Sequence, residues 1–233
     1  MRNLFVFALL LTVSMTTGCA TKISLGPIRE DLKPTAQLSG KVHVMPVVDS
    51  ARLVKYDNDY YSTVTGNPIT AKSPYISETH PVSMLDKSIT SCLTQSGLVV
   101  TGGASIPEDA DLVLRPTATV VYITDTSPNT LFHLGVALAT GLITSSSNPK
   151  SLLVMGNELE DRKREAKSAA IFSGREEAFL YAFKGGGAER AFRLVQEDYC
   201  GWLQQKIAKF RADPIAADRV NKEEMAKLAS GKK

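Results

Sequence analysis

The chain is poor in the side chains that usually do chemistry. It has 3 histidines, 3 cysteines and 1 tryptophan. His43, His80 and His133 lie far apart, in a strand-like stretch, just before a helix and in a loop. No H-E-x-x-H, paired C-x-x-C or G-x-S-x-G is present, so neither a metal centre nor an activated nucleophile is announced. Net charge is also small. With 27 basic and 24 acidic residues the balance is +3, too little for a polyanion such as nucleic acid, and the basic residues form no patch interleaved with aromatics. Long apolar runs are missing from the body of the chain. The longest, 131–144, contains His133, Gly135 and Gly141 and is too short to span a bilayer.

What is present starts at the amino end. Arg2 precedes an apolar run over 4–13, and Thr16, Thr17 and Gly18 lead into Cys19. A basic start, about ten apolar residues and small residues before a cut site describe a secretory signal. The Cys directly after Gly makes it resemble a bacterial lipoprotein signal, with Thr16 where Leu is usual. The resemblance implies that residues 1–18 are removed and that Cys19 carries palmitate-type acyl chains. Ala20, in place of an Asp, implies the outer membrane. Cys92 and Cys200 then remain as an even pair in a compartment where disulfides persist. They could form a bridge or be two small buried apolar residues, since each falls in an expected helix.

The rest has ordinary globular proportions, 43% hydrophobic and 22% charged. Residues 19–40, with Gly26, Pro27, Pro34 and Gly40, read as a lipidated, flexible tether. The stretch 41–48 reads as a first strand, with Pro46 at an edge or an end. Val82, Leu85, Ile89, Cys92 and Leu93 recur at helical spacing over 81–97, with Pro81 in the first turn and Gly97 as the left-handed cap. A short strand over 98–101 follows. The strongest strand signal is 110–124. Its more apolar face, with Leu112, Leu114, Ala118, Val120 and Tyr122, should meet the core, and Pro116 suggests a bulge or an edge. A hairpin is expected over 151–173, turning at 161–165, with helix as the rival because 158–170 is rich in good helix formers. Ala188, Phe192, Val195, Tyr199, Trp202, Leu203, Ile207 and Phe210 mark a long amphipathic helix that Pro214 ends. The fold class is therefore α+β: a mostly antiparallel sheet with two main helices packed on one face. One domain over 41–211 and a charged tail over 212–233, either a short helix or a frayed end, complete the division.

Few residues stand out as functional candidates. Tyr56, Tyr60, Tyr61 and Tyr75 cluster in a polar excursion and could face a partner or a glycan, or could fold back over the sheet edge. The 131–144 run is either a buried element or a contact surface. Asp57, Asn58 and Asp59 lack the Gly and distal Glu of a calcium loop and read as a solvated loop. The glycines 185–187, flanked by Lys184 and Arg190, open a helix and read as a hinge or, less strongly, as an anion site.

The order of several pieces resembles the uncharacterised, YajG-like outer-membrane lipoproteins of proteobacteria. Those pieces are Val42-His43-Val44-Met45-Pro46-Val47, Ser96-Gly97-Leu98, Ala110-Asp111-Leu112-Val113-Leu114, the 151–173 hairpin and the helix around AFRLVQEDYCGWL. The resemblance implies a small α+β domain facing the periplasm and defines no catalytic residues. The expected role is non-enzymatic, without cofactor or metal: a binding or assembly factor for another envelope component. The alternative is a lipid- or glycan-binding accessory protein of a transport system, which would need a cavity between the 131–144 run and the two helices.

Overall fold

The computed structural model describes residues 21–50, 54–56, 59–61, 75–77, 81–126, 148–177 and 187–229. Its centre is a six-stranded sheet. Strand β2 (Lys41–Val44) lies between β7 (Val99–Gly102) and β8 (Leu112–Thr126), and β3 (Val48–Asp49) continues along β8. Strands β9 (Asn148–Asp161) and β10 (Ala166–Glu177) complete the order β10-β9-β8-β2-β7. Two small pairs stand apart, β1 (Thr21–Ile23) with β6 (Tyr75–Ser77), and β4 (Val54–Tyr56) with β5 (Asp59–Tyr61).

The class is α+β, but the sheet is mixed, which corrects the expectation of a mostly antiparallel one. β8, β9 and β10 form an antiparallel meander. β2 runs parallel to both β7 and β8, and β3 runs parallel to β8. The reason is the crossover. Helix α1 (Pro81–Gln95) lies between β2 and β7 in the chain. A strand reached through a helix that packs back on the sheet arrives parallel to the one that was left.

Helix α1 ends as its sequence requires. Gly97 has φ +96°, its N–H donates to Thr94 O at 3.0 Å, and the Leu98 N–H donates to Leu93 O at 3.2 Å. This is the paired closure of a Schellman cap, with Leu93 and Leu98 both buried beneath it. The long helix is α2 (Gly187–Ala212). Its buried stripe of Phe192, Val195, Tyr199, Leu203, Ile207 and Phe210 shares one core with Leu153 and Met155 of β9 and Leu112 and Leu114 of β8. Full burial of side chains of this size stabilises by about 1.5–3 kcal/mol each.

A third helix, α3 (Pro214–Ala229), occupies the segment read as a charged tail. Asp213 caps it, its Oδ1 accepting the Ala216 N–H at 3.0 Å, and Pro214 takes the first helical position, where no N–H is missed. Lys206 of α2 donates to Asn221 Oδ1 at 2.7 Å and Glu224 Oε2 at 2.6 Å. Asn221 in turn donates to Ser168 Oγ of β10 at 2.9 Å. These bonds pin α3 across α2 and β10, so three helices pack on the sheet, not two.

Strand β8 departs from simple alternation. A bulge falls between Ala118 and Val120 in its pairing with β9. One extra residue reverses which face each later side chain takes. Leu112, Leu114 and Ala118 join the core, but beyond the bulge Val121 and Ile123 take the core positions, while Val120 packs on the opposite face with Leu152 and Val154. The expectation for Val120 is corrected accordingly, while the side chain of Tyr122 lies outside the described residues. Pro116 is no edge residue either, since β8 lies between β9 and β2. Leu114 O and Ala118 O accept from Met45 N and Ser50 N. Pro116, midway between them, points the same way, at the stretch where the chain has left β2 and has not yet reached β3. Its absent N–H breaks no ladder bond there.

The β9–β10 hairpin turns where expected. Asp161 Oδ1 accepts the N–H groups of Lys163 and Arg164 at 3.0 Å each, and Glu165 closes the turn at φ 52°. Side-chain capture of backbone donors by Asp is what makes such a polar cluster turn.

Candidate functional site

The segment read as a flexible tether is folded against the body from Leu25 onward. Leu25 is buried in the main core, and Ile28 packs on Cys92 and Cys200. These two cysteines form a disulfide, Sγ–Sγ 2.09 Å and Cα–Cα 5.7 Å, that joins α1 to α2. Leu32 packs against the same cluster. The apolar residues at 25, 28 and 32 are few and fall among Gly, Pro and charged residues, so composition alone read the stretch as a linker.

Around the disulfide a row of polar bonds stitches this strap in place. The Ile28 N–H donates to Ser88 Oγ at 3.3 Å, and the Ser88 hydroxyl donates to Gln196 Oε1. Gln196 Nε2 donates to Gly26 O at 3.3 Å. Further along, Gln204 Oε1 accepts the Thr35 N–H at 2.7 Å, while Gln204 Nε2 donates to Cys92 O at 3.0 Å. Thr35 Oγ donates to Gly201 O at 2.9 Å. Gln196 and Gln204 are both buried, and a buried amide left unpaired would cost about 1–3 kcal/mol. At the rim, Arg29 Nε pairs with Glu197 Oε1 at 2.9 Å. The helix partners 88 with 196 and 92 with 200 advance in step, so α1 and α2 run parallel. The strap follows α2 towards its carboxyl end, from Gln196 at Gly26 to Gln204 at Thr35.

The sheet and α3 border a cleft of about 530 Å³. Charged side chains line it. Arg115 Nη1 meets Glu160 Oε2 at 2.7 Å, with Lys167 Nζ at 3.7 Å from the same oxygen. Lys222 pairs with Asp218 at 2.6 Å. The hydrogen bond from Arg115 holds the Glu160 carboxyl below the usual carboxylate range. Ser168 also lines the cleft, but its Oγ faces an amide rather than a base.

His43 is buried in the seam between β2 and the end of β7. Its Nε2–H donates to Gly103 O, 2.9 Å away, and Nδ1 lies 3.0 Å from Thr101 Oγ1. Both ring nitrogens are therefore tied to the sheet, as a structural histidine's would be. Tyr199 is fully buried and donates to Asn157 Oδ1 at 2.5 Å. Burial raises its phenol pKa well above the ordinary value.

The tyrosines do not share one element. Tyr56, Tyr60 and Tyr61 belong to the β4–β5 hairpin, where Tyr56 pairs with Asp59 and Tyr60 with Lys55. Strand β5 lies against β8. Tyr75 belongs to β6, opposite Thr21 of β1. Cys19, Asp57, Asn58, His80, His133, Lys184, Gly185 and Gly186 lie outside the described residues, as does the 131–144 run, although the nearest described residues on either side of it, Thr126 and Asn148, pair with each other. Gly187 opens α2. Among the described residues there is no group of three or more His, Cys, Asp or Glu that could hold a metal, and no helix long and apolar enough to cross a membrane.

No family model matches this chain, and no curated protein does. Several solved structures are similar in outline. A Xanthomonas campestris protein of the DUF330 family is 10% identical with a TM-score of 0.47, over 79% of this chain and 93% of its own. A Helicobacter pylori protein described as a neuraminyllactose-binding hemagglutinin homolog is 15% identical with a TM-score of 0.36, over 83% of this chain and 97% of its own. A hypothetical protein of Chlamydia trachomatis is 8% identical with a TM-score of 0.39, over 70% and 95%. Likeness at this level transfers no residue role and no activity. What sequence reasoning missed was the strap. Its signal was the set of apolar residues Leu25, Ile28 and Leu32 among Gly, Pro and charged ones, and the two glutamines on the buried face of α2 that receive it.

Proposed function

We propose that this chain is a lipid-anchored envelope protein facing the periplasm, a non-enzymatic binding or assembly factor for another envelope component. The observation that carries the reading is the Cys92–Cys200 disulfide. Such bonds form and persist outside the reducing cytosol, in keeping with a leader that ends at Gly18, just before Cys19. Acylation at Cys19 would hold the domain at a membrane without a spanning segment. Ala20 favours the outer membrane, and the likeness to YajG-like lipoproteins belongs to the same reading. In this reading His43, with both ring nitrogens tied to the sheet, is structural rather than catalytic.

The test is metabolic labelling with palmitate, followed by fractionation. The wild-type chain takes up label and sediments with outer membranes, and Cys19→Ser takes up none and is released. A wild-type chain that stays unlabelled and appears in the same fraction as Cys19→Ser would refute the proposal.

A further inference from the structure

We infer that the folded body docks directly on the membrane surface by one defined end, the end that carries β1, β6 and the amino ends of α1 and α2. The inference rests on acylation of Cys19 and adds an orientation and a stand-off distance to it.

The first observation is how little chain is left to act as a tether. β1 begins at Thr21 and pairs in register with β6, Thr21 with Tyr75 and Ile23 with Ser77. Only Ala20 separates that strand from Cys19. Two residue steps reach at most about 7 Å. The polar zone on each side of a bilayer is itself about 5–8 Å deep. A body held that closely lies in contact with the headgroups.

The second observation is that the strap cannot peel away to lengthen the connection. Leu25 and Ile28 are 3% and 2% exposed, and Gly26 O is held by Gln196. The strap also sets the direction. It enters beside Gln196 and leaves towards Arg211, whose Nη2 is 4.0 Å from Asp111 Oδ2 near the start of β8. Since α1 and α2 are parallel, both amino ends lie on the entry side, and α1 follows β6 there after a short connection. The Thr126–Asn148 pair, at the end of the β8–β9 ladder, is on the same side. The opposite end carries the β9–β10 turn, with Lys163 paired to Asp111 at 2.5 Å. With 26 residues in α2, that turn stands about 40 Å from the bilayer. A partner that uses the charged turn must reach this height, and a partner that uses the entry side must itself be at the membrane.

Single tryptophans test the orientation. The acylated mature chain carrying Trp202→Phe is reconstituted in phosphatidylethanolamine–phosphatidylglycerol vesicles with brominated acyl chains. Tyr75→Trp and Ile76→Trp probe the entry side, and because neighbouring strand residues take opposite faces, at least one reports on the bilayer. Lys163→Trp probes the far turn. We expect quenching of about two-fold or more at one of the first two positions and none at Lys163→Trp. An insertion of about twenty Gly and Ser residues between Ala20 and Thr21, spanning about 25 Å, should abolish the quenching while the protein still floats with the vesicles. Flotation without quenching at positions 75 and 76 overturns the docking and leaves the anchor standing. Equal quenching at position 163 overturns the orientation. A wild-type chain that does not float removes the anchor, and the docking with it.

Discussion

Removing the Cys92–Cys200 bond is the perturbation whose effect can be worked most directly from the structure. The bond closes a loop with a sequence separation of 108 residues. Cross-linking a loop of that length removes conformational entropy from the unfolded chain worth about 4.8 kcal/mol at 25 °C in the chain-entropy treatment, and measured values for native disulfides run from about 2 to 5. The folded state adds a local term. Cys92 and Cys200 are 1% and 2% exposed, and Ile28 and Leu32 pack on them. Replacing both with Ala leaves a small void beneath the strap, while Cys92 O still receives Gln204. Cys92→Ala/Cys200→Ala should therefore be about 3–5 kcal/mol less stable than the oxidised chain, a fall of about 10–15 °C in Tm for a domain of this size. Urea unfolding followed by tryptophan fluorescence, with and without reductant, measures it. The m-value should rise, because the unfolded chain without the cross-link exposes more surface. A difference below about 1 kcal/mol would refute the reasoning, since a closed loop of this size cannot be neutral unless the reduced chain stays compact when unfolded.

Three further outcomes follow from single sites. Gly97→Ala should lose about 2–3 kcal/mol, because φ is +96° and the new Cβ would lie 2.7 Å from Leu38 O; thermal melts that match wild type would show that the cap is not as tight as described. Tyr199→Phe should lose about 1–3 kcal/mol, since Asn157 Oδ1 is left buried without its donor, and denaturant unfolding of Tyr199→Phe with Asn157→Ala should show a coupling that two independent sites would lack. Asp111 and Glu160 both have lowered pKa values, the first through hydrogen bonds from Lys163 and Lys41, the second through Arg115. Their stabilisation is present above the unfolded carboxylate range near about pH 4 and is lost as pH falls through the lower folded values, so the midpoint should drop below pH 4 and Lys163→Met with Arg115→Met should flatten that drop; an unchanged acid limb in the double variant would count against these pairings.

Much of the fold was legible where the signal is local. The stripe from Ala188 to Phe210, the Gly97 cap, the strand of 110–124 and the turn at 161–165 follow from periodicity and from single residues with narrow backbone preferences. The candidate site was less legible. Cys92 and Cys200 were open between a bridge and two buried thiols, and only the parallel approach of α1 and α2 brings them together. The four tyrosines, close together in sequence, belong to two separate strand pairs, because contact between strands depends on the partner and not on spacing along the chain.

Sequence alone determined helices α1 and α2, strands β2, β7 and β8 and the β9–β10 hairpin, the even pair of cysteines, and the absence of any recognisable catalytic motif, because each depends on composition and short-range spacing. Tertiary structure decided the rest. The order β10-β9-β8-β2-β7 depends on where α1 crosses, and the exchange of faces beyond Ala118 depends on one extra residue set against β9. The conversion of residues 24–40 from apparent linker into a strap depends on Ser88, Gln196 and Gln204, which lie 60 or more positions away from the residues they hold. In each case the deciding energy comes from groups distant in the chain, so no local pattern carries it.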